Sequence, residues 1–446
     1  DSLVAHQINT KQKEEISELG ISELYNNLIK LIPIYKEIDQ IGLLVDEDRR
    51  NTLINTYRAT QSIYLKTIEI LVGESVNFNS PTQVGKLIYD KLKFPARRHT
   101  TDAGKITYST EEEILEELAV LHSKDNAMGE VGEKVIWFII ACRKLDKLIQ
   151  FLSFLTHPDG RLHTSYNLAG TETGRTSTGR TLDIQLGLHE GKLKKSKRLG
   201  ASLHTIPKHG FRLGGLYKTG EEVGKDIRKI FIPTPGYVFI EADQSQAEAR
   251  VCAVLGEAYE FLKLFDIPPG IHCLTASWCF DRTDIIKGST EYHIGKTVRH
   301  AGERNIGVNK LAAMLQRPVK EASILLDTFH EHSPHIRNTY HRQVRDYVRK
   351  YAKLVAPNGR RRDFFGRMDE HTFNEAISQI PQAVVTDQTK FAMLTMYNRL
   401  DRDKYRFIYE GHDAILSEVK EDYVDEYTKV CREELEQPIN FSNCSL

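Results

Sequence analysis

Apolar positions in the first third of the chain recur at the spacing of amphipathic helices. This holds from Ile21 to about Ile70, with an interruption at Gly42, and again from Lys134 to Leu155. Ser80 before Pro81 is typical of a helix N-cap followed by proline at the first helical position. These patterns predict a mainly helical region. The polar residues before Ile21 predict a tail or the remnant of a preceding domain.

A different pattern begins at Val238. An apolar run rises to Asp243 and is followed by the helix-forming segment Ala247–Arg250, which predicts a strand that leads into a helix. A carboxylate at a strand end is held rigidly and can bind a metal ion. An Asp before a helix is also a common N-cap. The local pattern leaves both interpretations of Asp243 open.

A second carboxylate follows near the C-terminal end. Two β-prone segments within Tyr405–Val419 flank the turn at Glu410–Asp413, which predicts a hairpin. Asp413 is ordinary turn chemistry when taken alone. Together with Asp243 it could hold two divalent cations, which activate a hydroxyl and stabilise the leaving oxygens in phosphoryl transfer. Carboxylates favour Mg²⁺, with Mn²⁺ as an alternative.

Basic side chains are clustered in two places. The predicted helix Tyr292–Arg304 places Lys296, His300 and Arg304 on one face, as either a solvated stripe or a grip on a polyphosphate. Lys192–Arg198 has five positive charges in seven residues, which fits a solvated loop or a phosphate-binding patch.

Composition narrows the class of protein. The 446 residues, enough for two or three subdomains, include 61 Lys plus Arg and 61 Asp plus Glu, so any basic surface must be local. Six cysteines without paired or zinc-like spacing predict reduced thiols in an intracellular protein. No long apolar run or targeting segment is visible, so we expect a soluble protein without a membrane partner, in the cytoplasm or nucleoid if the source is bacterial or a phage.

The ordered motifs resemble those of family A DNA polymerases. Asp243–Arg250 resembles motif A, Lys296–Gly307 motif B and Gly411–Ala414 motif C of that family. Supporting matches occur in family order at Phe78–Ser80, His163–Asn167, Thr173–Arg175, Leu203–Pro207, Ile227–Arg228, Ile271–His272 and Pro381–Gln382.

The resemblance implies an α+β right-hand polymerase fold, with a helical thumb and helical fingers around an antiparallel β palm. The expected division is a tail at 1–22, the thumb and its base at 23–135, the first part of the palm at 136–253, the fingers at 254–345 and the second part of the palm at 346–446. An insertion at about 181–200 is expected to form a surface loop near DNA. Too few residues precede the matched region for a proofreading exonuclease, so none is expected in this chain.

The implied activity is template-directed DNA polymerisation, with primer–template DNA and dNTPs as ligands and a helicase, primase or processivity factor as possible partners. Asp243, Asp413 and Lys296 would be catalytic, and the Gln244 carbonyl would assist the two carboxylates in metal binding. The implied nucleotide-binding residues are Gln246, Glu248, His272, Lys296, Arg299, His300 and Arg304. The implied DNA-binding residues are Asn167, Thr173, Arg175, Arg228, Gln382 and His412.

Several positions depart from the family pattern. Tyr292 replaces an Arg, Arg304 replaces a Tyr and Ala414 replaces an acid, which implies that triphosphate binding is redistributed to Arg299 or Arg304. These departures motivate one rival, a catalytically degenerate nucleic-acid-binding subunit. The other rival is a single-subunit RNA polymerase, which shares the palm carboxylates. Glu248, the implied steric gate against a 2′-hydroxyl, argues against that second rival.

Overall fold

The computed structural model describes residues 2–100, 106–121, 129–180, 202–207, 224–315, 317–442 and 444. The predicted loop at 181–200, with Lys192–Arg198, lies outside the described residues. The α-helices are α1 (Ser2–Glu18), α2 (Ser22–Ile41), α3 (Glu47–Val72), α4 (Pro81–Gly85), α5 (Glu112–Leu121), α6 (Gly129–Leu152), α7 (Ala247–Leu255), α8 (Tyr259–Leu262), α9 (Ile271–Phe280), α10 (Thr290–Glu303), α11 (Val308–Leu315), α12 (Val319–His332), α13 (Arg342–Tyr351), α14 (Glu370–Arg399) and α15 (Val424–Leu435).

The strands are short apart from three in the main sheet. They are β1 (Leu43–Leu44), β2 (Arg98–Thr100), β3 (Ile106–Tyr108), β4 (Arg161–Leu162), β5 (Thr164–Asn167), β6 (Ser177–Arg180), β7 (Tyr237–Asp243), β8 (Lys353–Val355), β9 (Arg361–Asp363), β10 (Tyr405–Glu410) and β11 (Ala414–Lys420). Two single turns of π-helix occur, at Lys86–Lys91 and Ile336–His341.

The chain divides into two compact units. The first unit comprises residues 1–42, 164–179 and 233–446, and the second comprises 43–163 and 180–232. In the second unit α3 packs along α6 around a core that includes Ile68, Leu87 and Trp137. The predicted cap is confirmed there, because the Ser80 side chain accepts a hydrogen bond from the Gln83 backbone N–H.

The main sheet of the first unit has the strand order β10-β11-β7 and is antiparallel. Helices α2, α14 and α15 pack with its strands around a shared apolar core. This core includes Ile34 and Tyr35 of α2, Met393 of α14, and Phe407 and Ile415 of the sheet. The predicted strand at 238–243, the helix after it and the Tyr405–Val419 hairpin are confirmed, as is the α+β class.

Helices α7 and α10–α13, together with α14, form a second core in the first unit. Val298 of α10, Phe329 of α12, Val344 of α13 and Ile380 of α14 all belong to it. Helices α9 and α10 approach so closely that a Cβ built on Gly295 would lie 2.6 Å from the Ala276 backbone nitrogen. Among the described helices, none has the length and apolar character needed to cross a bilayer.

The contact at Gly295 leads to a stability prediction. Gly295→Ala should lower the free energy of unfolding by about 1–3 kcal/mol, because the added methyl group would overlap backbone that cannot move without displacing α9. Denaturant unfolding of the purified variant measures this change. Gly307→Ala is the matched control, since a Cβ at Gly307 has no neighbour within 4 Å. Equal stability of the two variants would contradict the proposed packing constraint.

Candidate functional site

The two predicted metal ligands lie next to each other at one end of the main sheet, Asp243 at the end of β7 and Asp413 in the turn just before β11. Asp243 ends β7 directly opposite Ala414 of β11, and the Gln244 backbone N–H donates to the Asp413 carbonyl oxygen at 2.9 Å. Both acids are exposed to solvent. The N-cap interpretation of Asp243 is wrong, because α7 starts at Ala247 and its N-cap is Gln246. Antiparallel pairing therefore brings together two carboxylates that are far apart in the sequence.

The turn that carries Asp413 is held by its own backbone. The Gly411 N–H donates to the Ala414 carbonyl at 2.7 Å, and the Asp413 N–H donates to the Gly411 carbonyl at 2.9 Å. His412 has a φ of 72°, an unusual conformation for a residue other than glycine. Its N–H donates to the Glu410 carboxylate at 2.5 Å. These hydrogen bonds fix the position of Asp413 in the turn between β10 and β11.

Glu410 was not predicted as a site residue, yet its carboxylate organises this turn. Its side chain is completely buried and accepts hydrogen bonds from the hydroxyls of Tyr35, at 3.2 Å, and Thr176. Burial beside this carboxylate raises the pKa of the Tyr35 phenol well above its usual range. The partners lie hundreds of residues away in sequence, so the only local signal was an acid at the end of a predicted strand.

Side chains from α14 and from the chain before β9 contact the loop Thr173–Arg175. Gly174 has a φ of 80°, and a Cβ there would lie 2.4 Å from the guanidinium carbon of Arg360. The Lys390 ammonium donates to the Gly174 carbonyl at 2.5 Å, and Arg360 pairs with Asp387 at 2.6 Å. Glycine is thus required by the approach of a protein side chain. The group that approaches the Gly174 backbone is the Arg360 guanidinium.

Glu248 connects three segments of the first unit. One carboxylate oxygen accepts from the Arg175 guanidinium, and the other accepts from the Arg304 guanidinium at 2.5 Å. Both pairs are partly shielded from solvent. Two guanidinium groups, one on each oxygen, fix both the position and the orientation of this carboxylate. We call Arg175, Glu248 and Arg304 the Glu248 clamp.

The middle of α10 presents a cation beside two neutral imidazoles. The rings of His272 and His300 lie 5.4 Å apart. Burial, with a smaller effect from His300, lowers the pKa of His272 to about 3, and burial with the nearby Arg304 lowers that of His300 to about 4. Lys296 contributes to both shifts and has no carboxylate within ion-pair distance among the described residues. Near neutral pH the charge in this cluster therefore belongs to Lys296.

Arg299 does not fit its predicted role in triphosphate binding. Its side chain is 1% exposed and pairs with Glu303 at 3.1 Å, and its Nε donates to the Thr275 hydroxyl at 2.7 Å. Phe329 lies under the guanidinium at 5.1 Å. This enclosure between helices argues against a contact of Arg299 with a nucleotide, and its role in triphosphate binding stays a prediction. Arg299 instead supports the packing of α10.

The other predicted site residues are dispersed. The side-chain amide of Gln244 donates to the Thr389 hydroxyl at 2.9 Å, while Gln246, Gln382 and Thr173 are half-buried and Asn167 is exposed. Arg228 belongs to the second unit, where it donates to the carbonyls of Ile206 and Pro207.

The oxygen donors at the ends of β7 and β11 fit a hard divalent cation. Asp243 and Asp413 carry carboxylates at neighbouring backbone positions, at the end of β7 and just before β11. Mg²⁺ and Mn²⁺ prefer such ligands, whereas softer metals select thiolates and imidazoles.

Comparison with known proteins identifies the family. The model of DNA polymerase family A matches residues 48–444. The chain therefore belongs to DNA polymerase family A.

The relatives are DNA polymerases I. The chain is 27% identical over 437 residues to DNA polymerase I of Caldicellulosiruptor bescii, covering 93% of this chain and 45% of the relative. It is 26% identical over 378 residues to the thermostable DNA polymerase I of Thermus aquaticus, covering 82% of this chain and 40% of the relative. The chain thus spans less than half the length of these curated relatives.

A solved structure supports the predicted fold. The POL domain of Pol1 from M. smegmatis, in complex with DNA primer-template and dNTP, matches with a TM-score of 0.77 and 22% identity. The match covers 96% of this chain and 70% of that chain. The predicted right-hand polymerase fold is confirmed.

The pKa of His272 leads to a prediction about pH. The folded state keeps His272 neutral down to about pH 3, whereas the unfolded chain binds a proton near its ordinary pKa of 6.5, so the free energy of unfolding falls as pH falls through this window. His272→Gln should flatten this dependence by up to about 1.4 kcal/mol per pH unit between about pH 6 and 4. Denaturant unfolding at a series of pH values measures the slope. His371→Gln, at a side chain that is 82% exposed, is the control. Identical slopes in wild type and His272→Gln would refute the assignment.

Proposed function

We propose that this chain is a template-directed DNA polymerase that adds deoxynucleotides to a primer 3′-hydroxyl by two-metal-ion nucleotidyl transfer. Primer–template DNA and dNTPs are the proposed ligands, as named for the M. smegmatis neighbour. The observation that carries the proposal is the pairing of β7 with β11, which places Asp243 and Asp413 side by side at exposed strand ends. Membership in DNA polymerase family A supports the same chemistry.

Asp243 and Asp413, with the Gln244 carbonyl, are the proposed ligands of two Mg²⁺ ions. When bound, such a pair of ions activates the attacking hydroxyl and stabilises the leaving oxygens of an in-line displacement. The role of the chain is to hold its oxygens at fixed positions. The backbone bond from Gln244 to Asp413 and the buried Glu410 beneath the turn do this.

The charge on the triphosphate is proposed to meet Lys296. His272 and His300 stay neutral at physiological pH because of burial, and Arg299 and Arg304 are paired with carboxylates. Lys296 is left as the uncompensated cation of α10 among the described residues. The neutral imidazoles beside it can donate or accept one hydrogen bond at each ring nitrogen without adding charge.

The Glu248 clamp is proposed to select the sugar. A carboxylate held by two guanidinium groups cannot swing aside, so a 2′-hydroxyl placed against it would meet steric overlap. A deoxyribose has no such group. This argues for dNTP over NTP and against the RNA polymerase alternative.

The metal ligands can be tested directly. Asp243→Ala and Asp413→Ala should each lower primer extension by at least about a thousandfold, because each removes a ligand from a site that supplies several kcal/mol to the transition state. Extension of a labelled primer in Mg²⁺ and in Mn²⁺ is the measurement.

Glu241→Ala is the matched control, since Glu241 is an exposed acid on the same strand. It should extend primers at the wild-type rate. If Asp243→Ala or Asp413→Ala also extended primers like the wild type, the metal assignment would be wrong. DNA binding without extension by the wild type in either metal would instead support the degenerate-subunit alternative.

Sugar selection gives a separate prediction. Glu248→Ala should raise the ratio of NTP to dNTP incorporation at least about tenfold, because the group that excludes the 2′-hydroxyl is removed. Single-nucleotide incorporation with each triphosphate measures the ratio. Glu257→Ala, which removes an acid just beyond α7, is the control. An unchanged ratio in Glu248→Ala would remove Glu248 from sugar selection.

Two other predictions concern the organisation of the polymerase and its partners. The division into thumb, palm and fingers and the contacts with a helicase, primase or processivity factor stay predictions.

A further inference from the structure

A line of arginines runs along α13 and the π-helical turn before it. Arg337, Arg342, Arg345 and Arg349 all line one open cavity of about 300 Å³. We call these four residues the arginine track. Their spacings of about one helical turn keep them on one side of the element. From Arg337 to Arg349 the track extends roughly 18 Å, at the helical rise of about 1.5 Å per residue.

The charge on the track is only partly compensated. Arg345 makes a forked pair with Glu370, with both contacts at 2.7 Å, and Arg349 lies 3.7 Å from Asp346. Arg337 and Arg342 are exposed and have no carboxylate within ion-pair distance in the described part of the chain. Like charges along one side of a helix repel each other, so an anionic ligand would relieve an unfavourable arrangement.

A buried histidine connects the cavity to the end of α10. His341 lines the same cavity and is 2% exposed. Its Nε2 donates to the Glu303 carbonyl oxygen at 3.0 Å, since a carbonyl can only accept. Its Nδ1 is buried and has no hydrogen-bond partner among the described residues. Because Nε2 carries the proton, Nδ1 of the neutral ring is an acceptor, so His341 supports the floor of the cavity and the contacts with an anion fall to the arginines.

The track starts beside the candidate nucleotide site. Glu303, which accepts the His341 bond, is the last residue of α10, the helix that carries Lys296. Asn305, two residues further on, lines the cavity and bonds to Asn374 at 2.6 Å. A strand that leaves the nucleotide site along the end of α10 would therefore meet the arginine track directly.

We propose that the arginine track binds successive phosphates of the single-stranded template that has not yet been copied. An extent of roughly 18 Å is too long for one small anion and suits several phosphates of a chain. Guanidinium groups suit phosphate because they donate two parallel hydrogen bonds. Because the cavity is open, it suits a strand that can slide along it better than it suits a small anion that would have to be enclosed. The assignment rests on the proposed function, since that function supplies the template.

The experiment compares DNA binding by the 446-residue wild type and the double variant Arg337→Gln/Arg342→Gln. One ligand is a primer–template with a long 5′ template overhang, and the other is the same duplex with a blunt end. Without dNTPs, fluorescence anisotropy between about 50 and 200 mM salt gives the affinity and its salt dependence. The double variant should bind the overhang DNA about tenfold more weakly at low salt, and its log–log salt slope should be shallower by about 1.4, at about 0.7 per single-strand phosphate. Affinity for the blunt duplex should not change.

Lys350→Gln is the matched control, because Lys350 is an exposed cation on α13 that does not line the cavity. It should keep the wild-type affinity and slope for both ligands. An unchanged affinity and slope in the double variant would overturn the proposal. Equal weakening for overhang and blunt DNA would overturn it too, because the track would then bind duplex.

Inorganic phosphate tests the small-anion alternative. At constant ionic strength, millimolar phosphate should leave overhang binding by the wild type unchanged. If it lowered that binding to the level of the double variant, the cavity would be a site for a free anion and the proposal would be wrong. Since binding is measured without incorporation, a wild type that fails to extend primers but passes these tests would contradict only the proposed function. The reverse result would contradict only the arginine track.

Discussion

The pairing of β7 with β11 is the constraint on which the candidate site depends. A shift of one residue in an antiparallel pair turns every side chain to the other face, so the register must be held firmly. A buried acid on β11 holds it. Glu418 is 1% exposed and accepts from the Thr234 backbone N–H at 2.8 Å and from the Arg406 guanidinium at 2.7 Å. The chain before β7 and strand β10 are thereby fastened to β11, and Asp243 is kept opposite Ala414.

The buried charges in the first unit fix the positions of backbone loops. Taking a carboxylate out of water is costly, and replacing a buried ion pair by apolar groups is often neutral or stabilising. Glu410, Asp387 and Lys390 are nevertheless almost fully buried. Glu410 bonds to the backbone of the turn before Asp413, and Lys390 bonds to the loop before Arg175. Both loops carry proposed functional side chains, so these buried charges specify where those side chains lie.

Local patterns were sufficient for the strand ending at Asp243, the hairpin carrying Asp413 and helix α10. The burial of Arg299 was not predicted, because its basic residue type was given more weight than its position on α10. Gly295, Val298 and Gly302 mark the buried face of α10, and Arg299 lies on that face. The small residues Gly295 and Gly302 were the sequence signal that this face of α10 is buried. The Glu248 clamp could not be predicted, because Arg175, Glu248 and Arg304 meet only after the loop before β6, the start of α7 and the end of α10 have packed together.

The equal numbers of acidic and basic residues conceal a local separation of charge. On α10 and just after it, Arg299 and Arg304 are each paired with a carboxylate, and burial keeps His300 neutral. Among the described residues, Lys296 therefore has no carboxylate within ion-pair distance. Uncompensated positive charge reappears on the arginine track, beyond the end of the same helix. Two such places joined through the Glu303–His341 bond suit two phosphate-bearing ligands, a nucleotide and the strand that pairs with it. The charges of Arg299 and Arg304 are paired with opposite charges. Since salt screens the field of an unpaired surface charge beyond about a Debye length, these two places are electrostatically distinct.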